Sequence, residues 1–297
     1  MSFFFEVLIS GLLSGVMYSL VALGFVLIYK ASGVFNFAQG AMVFFAALTF
    51  VGLHEHGVPF ALAFLVTLGV MIVLGLAIER VVLRPLVNQP QITLFMATIG
   101  LTFVVEGLAQ LLWGSQPHNL DLGIQDEPIA WITTTTGMSV SKFDIAAAVI
   151  AAVLVSSLGL FFSRTRIGRA LRAVADDHQA ALAVGIPLQQ IWGIVWAVAG
   201  FVALVAGMLW GARNGVQFAL TFLALKALPV LILGGFESIP GAIVGGLIIG
   251  ASEKLAEVYL GPHVGGGIEG WFSYVLALVF LLFRPEGLFG EKHIDRV

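Results

Sequence analysis

The sequence predicts an all-α polytopic membrane protein with about nine transmembrane helices, the N-terminus outside and the C-terminus in the cytoplasm. Three observations predict it. Hydrophobic residues make up 59% of the 297 and charged residues only 10%, and the mean hydropathy is +1.03, whereas soluble domains run nearer half apolar and a quarter charged. The apolar residues gather into runs close to the ~20 that a helix needs to cross a bilayer. Basic residues collect at alternate ends of those runs.

The runs, in order, are Phe5 to Tyr29, Phe35 to Leu53, Pro59 to Ile78, Ile92 to Trp113, Phe143 to Phe162, Ile191 to Trp210, Phe218 to Leu233, Gly241 to Tyr259 and Trp271 to Phe283. The seventh and ninth are short, which brackets the count at eight to ten. "MSFFFEV" lacks the basic region and cleavage site of a signal peptide, so the first run is expected to stay in the protein. Trp113, Trp192, Trp210 and Trp271 sit at run ends, where the amphipathic indole prefers the headgroup level.

Lysine and arginine in short loops remain cytoplasmic. Lys30, Arg80, Arg84, the four arginines from Arg164 to Arg172, Arg284, Lys292 and Arg296 carry ten of the fourteen basic residues and fall on one side. Glu55, Asp121, Asp126, Glu127 and Glu269 fall on the other. Arg213 is the exception, and it predicts either a re-entrant region or a count off by one. The longest outer segment, 114–142, is expected to be an ordered or partly ordered loop, and the whole chain, 1–297, a single transmembrane domain.

Composition also excludes. With no cysteine there are no disulfides, thiolate metal sites or cysteine nucleophiles. A net charge of -3 suggests no nucleic-acid partner. "GGGIEG" at Gly265 to Gly270 fits a dinucleotide fingerprint but follows no strand, and His54 and His56 lack further ligands, so no metal site is expected. No phosphate-binding P-loop occurs, so any ATP must be used by another chain. No catalytic residues are assigned. An intramembrane enzyme would need a facing nucleophile and base, and the runs hold no isolated histidine.

Helices in lipid associate through small residues that let backbones approach. Gly11 with Gly15 and Gly241 with Gly245, each spaced by four, are assigned to such packing. "VFNFAQG" (Val34 to Gly40) and "LPVLILGGFESIPG" (Leu228 to Gly241) read either as broken helices lining a polar path or as tight turns. Glu106, Lys226, Glu253 and Lys254 lie within apolar runs, where a charge costs ~2.5–3.5 kcal/mol on insertion scales and therefore faces a partner or a cavity. Glu253 and Glu257 share one helix face, as do Glu106 and Gln110.

One segment concentrates charge: "RTRIGRALRAVADDHQAALAVGIP", Arg164 to Pro187. Positive-inside bias accounts for its arginines singly. The spacing of Leu171, Val174, Ala175, Ala181 and Leu182, closed by Gly185 and Pro187, predicts a short cytosolic amphipathic helix suited to a groove on a partner.

Together with "GLLSGVMYSLVALGFVLIYKASGVFNFAQG" (Gly11 to Gly40) and "LKALPVLILGGFESIPGAIVGGLIIG" (Leu225 to Gly250), this segment resembles the LivH-type permeases of branched-chain amino acid ABC importers. The resemblance implies a permease subunit in the bacterial inner membrane, binding no cofactor itself. Its implied partners are a homologous LivM-type permease, two cytosolic ATPases that use ATP, and a periplasmic substrate-binding protein. Segment 164–187 would dock on an ATPase, with Arg169, Arg172, Ala181, Gly185 and Ile186 in the coupling surface. Tyr18, Asn36 and Gln39 are assigned to the substrate path, because the polar groups of an amino acid need partners once dehydrated. Ala41 and Glu237 depart from the family pattern, which has an acidic residue and a glycine there. Related permeases are assigned to amides, urea and small organic acids, and an ion-coupled secondary transporter is the rival class.

Overall fold

The computed structural model describes residues 2–86, 89–176 and 178–290, the side chain of His178 excepted. Asp177, Lys292 and Arg296 lie outside the described residues, as does the C-terminus. The helices are α1 (Ser2–Ser32), α2 (Gln39–Glu55), α3 (Phe60–Ala77), α4 (Gln91–Trp113), α5 (Ala130–Thr136), α6 (Lys142–Arg164), α7 (Arg166–Asp176), α8 (His178–Ala183), α9 (Leu188–Asn214), α10 (Leu223–Gly234), α11 (Ile239–Tyr259), α12 (Gly261–Val264) and α13 (Phe272–Phe283). Among the described residues the only β-pairing is two isolated antiparallel bridges. The chain is therefore an all-α polytopic membrane protein. Among the described residues six helices are long and apolar enough to cross a membrane: α1, α3 with its following turns to Leu86, α4, α6, α9 and α11. The predicted runs two, seven and nine correspond to α2, of 17 residues, to α10 with its preceding turn, and to α13. At 1.5 Å per residue α2 is roughly 25 Å long.

Contacts group the chain into two compact units: Met1–Ala22, Gly123–Ser157 and Leu225–Val297 form one, and Leu23–Leu122 with Leu158–Ala224 the other. In the first, α1 and α11 run antiparallel at backbone contact. A Cβ on Gly11 would lie 2.7 Å from the Gly250 carbonyl oxygen, and one on Gly15 would lie 3.0 Å from the Gly246 carbonyl carbon. The pair index falls on one helix as it rises on the other, and the Phe3 ring against Tyr259, at 6.5 Å, continues the register. α10 and α11 pair likewise, Gly245 facing Val230 and Gly241 facing Gly234. Ser238 caps α11, accepting from the Gly241 N–H at 3.0 Å.

In the second unit α2 is the central helix, buried from Gln39 to Gly52. It runs parallel to α9, with Gly207 against Val43 and Gly211 against Ala47, and parallel to α4, with Thr98 donating to the Phe35 carbonyl and Gly52 under the Trp113 ring. α3 and α9 are antiparallel, Gly75 meeting Trp196 and Gly200 meeting Met71. At Gly207, Gly75 and Gly200 the absent side chain lets a helix approach a neighbour's backbone closely, and at Gly52 it makes room for the Trp113 ring.

α3 ends in a π turn, Ile78–Leu83. A π turn bonds i to i+5, which stacks residues five apart. Glu79 and Arg84 are five apart, and the guanidinium grips the carboxylate through two bonds of 3.2 Å.

Arg213 lies in the last turn of an unbroken α9, 5.9 Å from the Trp210 ring. The irregular backbone predicted for that region follows the helix instead, as a 3₁₀ turn over Phe218–Phe222. The 114–142 segment carries α5 and both bridges, His118 with Val216 and Pro128 with Ser141.

Candidate functional site

Pro229 lies inside α10. Proline has no N–H, so the carbonyl four residues earlier, that of Leu225, loses its helical partner. Within an apolar helix such an orphan must be satisfied by another protein group. The Tyr274 hydroxyl of α13 donates to it at 2.6 Å, and α13 is thereby tied to α10 beside a charged residue.

That residue, Lys226, donates through Nζ to Glu253 Oε1 of α11 at 2.7 Å. The Glu253 side chain is 2% exposed and that of Lys226 36%. Tyr18 of α1 completes the group: its hydroxyl lies 3.5 Å from the same carboxylate oxygen, and the lysine nitrogen lies 6.0 Å from the centre of its ring. Lys254, the next residue along α11, pairs with Glu269 at 2.7 Å. Glu257 accepts from the Gly267 and Glu269 backbone N–H groups at 2.9 and 2.8 Å. The glycine-rich loop is thus pinned to α11 by a carboxylate. All of these residues belong to the first unit.

In the second unit the chain leaves helical geometry between α1 and α2. Both polar side chains of "VFNFAQG" are fully buried, Asn36 and Gln39 each at 0% exposure. The broken backbone is accounted for group by group: the Ala38 N–H donates to Asn36 Oδ1 at 3.1 Å, the Gln39 N–H to the Asn36 carbonyl at 3.2 Å, and Thr98 caps the Phe35 carbonyl. Phe35 stacks on Phe25 and meets Phe37 at 4.7 Å. Asn36 Nδ2 reaches Gln39 Oε1 at 3.4 Å. Among the described residues Gln39 Nε2 has no hydrogen-bond partner, and it packs against Gly24. This stretch is a buried break, whereas "GGFESIPG" forms a capped turn. There the Leu288 and Phe289 N–H groups bond the Leu233 and Gly234 carbonyls that end α10. Asn36 and Gln39 come together, and Tyr18 joins the lysine–glutamate pair in the other unit. Glu106, at 7% exposure, faces Thr221.

The charged segment 164–187 forms two helices, α7 and α8, in place of one. α7 turns back on the end of α6. The Arg172 guanidinium donates to the Phe162 and Ser163 carbonyls at 2.7 and 3.3 Å, satisfying acceptors that the helix end leaves free. Gly168 presses directly on the Phe162 backbone, where any side chain would clash. Leu171, Val174 and Ala181 face inward. Leu182 and Val184 face outward at 55% and 76% exposure, so the predicted apolar stripe divides between an inner and an outer face. Arg169 is exposed, Ile186 half-exposed, and Gly185 turns the chain at φ +84° with open space around it.

Residues 7–284 match the family described as branched-chain amino acid transport system / permease component. The high-affinity branched-chain amino acid transport system permease protein LivH of Salmonella typhimurium is 28% identical over 99% of this chain and 98% of its own. BraD of Pseudomonas aeruginosa, a permease protein of the same description, is 29% identical over the same shares. The probable LivH of Methanocaldococcus jannaschii is 28% identical over 91% of this chain and 88% of its own.

Proposed function

Because this chain belongs to the family of branched-chain amino acid transport system permease components, we propose that it is the membrane-spanning subunit of an ATP-driven importer of branched-chain or related small amino acids. It sits in the bacterial inner membrane and crosses it about nine times, N-terminus outside. A second, homologous permease, two cytosolic ATPases and a periplasmic binding protein complete the importer. The chain binds no cofactor; ATP is bound and hydrolysed by its partners.

The relative helix directions support the topology. Helices an odd number of crossings apart, α1 with α11, α10 with α11 and α3 with α9, are antiparallel, and those an even number apart, α2 with α4 and α9, are parallel. On the side assigned outward, Glu55 meets His118 at 2.8 Å and His118 pairs with Val216. On the side assigned inward, Trp192 donates to the Ala31 carbonyl at 2.8 Å.

The observation that carries the mechanism is the fastening of α7 to α6 by Arg172 and Gly168. ATP-driven closure of the ATPases pushes on α7 and α8. The stiff joint passes that push to α6, and packed helices move as bodies to open the path outward. Arg169, Gly185 and Ile186 stand with Leu182 and Val184 on the pushed surface. Ala181 and Arg172 hold it in shape from within. Asn36 and Gln39 are assigned to the substrate path, where Gln39 Nε2, which has no hydrogen-bond partner among the described residues, is the donor offered to the solute; Tyr18 is assigned to the path as well. Replacing Val184 with aspartate tests the coupling role, because the side chain is exposed and its loss leaves the chain's own core intact. In the reconstituted importer we expect normal assembly with at least a tenfold loss of ATP-driven amino acid uptake; unchanged uptake removes this surface from the coupling path.

A further inference from the structure

Resting on the amino acid importer reading, we propose that Lys226 is the cation that takes the substrate's carboxylate in the permeation path, with Glu253 as the latch that holds it ready. Four observations point there. Lys226 lies three residues into α10, and Glu253 lies six residues, roughly 9 Å, from the C-terminal end of the membrane-crossing α11. An ammonium at such depth facing hydrocarbon is unfavourable and would snorkel toward the surface. Lys226 does not snorkel, because its Nζ is held 2.7 Å from the buried Glu253 carboxylate. Yet over a third of its side chain is uncovered, while its partner is shut in. The uncovered part leaves the ammonium open to the approach of a second anion.

The surroundings suit exchange of one anion for another. Glu253 Oε1 has a second donor in the Tyr18 hydroxyl, now a long 3.5 Å away, ready to shorten when the lysine swings off. The Tyr18 ring lies 6.0 Å from the ammonium, which keeps an attractive π face beside the cation in either position. The backbone next to Lys226 is fixed, since Tyr274 clamps the Leu225 carbonyl. Movement is thus confined to the lysine side chain, and a passing carboxylate meets a cation whose own counter-charge stays behind in protein.

A purely structural ion pair predicts different mutant behaviour. Removing one partner leaves an uncompensated charge, whereas neutralising both leaves none. The experiment therefore uses the complete importer, purified with its partner subunits and reconstituted in proteoliposomes, and compares the wild type with Lys226→Arg, Lys226→Gln and the double variant Lys226→Gln/Glu253→Gln. Complex yield, ATP hydrolysis stimulated by loaded binding protein, and the maximal rate of leucine uptake are read for each. The expected result is that the double variant assembles and hydrolyses ATP like the wild type while leucine uptake stays at least tenfold down, and that Lys226→Arg keeps more than half of the uptake. Leucine uptake by the double variant within twofold of wild type overturns the carboxylate role and leaves the importer reading standing. Should the double variant not assemble, the single variants decide: uptake by Lys226→Gln equal to that of Lys226→Arg overturns the proposal, and a tenfold gap between them upholds it. A wild-type importer that moves no amino acid overturns the importer reading itself.

Discussion

At the residue scale the interior is organised by groups that answer a specific deficit. Tyr274 supplies the donor that Pro229 withholds from Leu225. An acceptor cut off from water by apolar surroundings and stripped of its partner costs about 1–3 kcal/mol, so Tyr274→Phe is expected to lower the thermal unfolding temperature of the detergent-solubilised chain. An unchanged temperature would mean that the carbonyl finds water instead. The sequence held a signal for this tie, a proline within an apolar run and a tyrosine in a later one, but which tyrosine answers depends on packing that spacing does not encode. Glu79 and Arg84 carried no reading in the sequence, because their five-residue interval brings opposite charges into register only once α3 ends in a π turn. The glycines act by absence. Gly15 and Gly246 let α1 and α11 touch, and Gly15→Leu is expected to abolish assembly of the importer, checked by co-purification with the partner subunits. Recovery of intact complex from that variant would show that the α1–α11 contact is dispensable.

At the element scale, the apolar runs fixed where helices lie because bilayer thickness sets a length that composition records directly. The first run, Phe5 to Tyr29, became Ser2–Ser32, and the fourth, Ile92 to Trp113, became Gln91–Trp113. Irregular stretches were less legible. "VFNFAQG" and "GGFESIPG" look alike as sequence, yet one is a buried break and the other a capped turn. What separates them is the neighbour that covers each, Phe25 and Thr98 for the first and residues 287–290 for the second. The arginine-rich segment, expected to be one amphipathic helix, folds as two, and the inward position of Ala181 and outward position of Leu182 divide the expected stripe between two faces. The joint between α7 and α6 has its own test. Arg172→Ala removes the cap on α6 while leaving the outer face of α8 untouched. If the joint transmits force, ATP hydrolysis by the assembled importer is expected to persist while amino acid uptake falls at least severalfold. Parallel loss or parallel retention of both activities would contradict that role.

At the scale of the whole molecule, the alternating directions of packed helices agree with a chain that passes back and forth through the bilayer, and in the second unit Glu55, His118 and Val216 meet at one end of the helices while Trp192 meets Ala31 at the other. The natural sequence contains no cysteine, so single cysteines report topology without background. Cysteine at Glu55 is expected to react with a membrane-impermeant maleimide in intact cells, and cysteine at Arg169 only after the cells are opened. Reaction of both from outside would reverse the inner face on which coupling depends. The direct test of the central claim is solute uptake by proteoliposomes that carry this chain with its partner permease, the two ATPases and the binding protein. The account predicts that labelled leucine accumulates against its gradient only when ATP reaches the ATPases, and that vesicles lacking them accumulate none. Accumulation driven by an ion gradient in vesicles without the ATPases would contradict it.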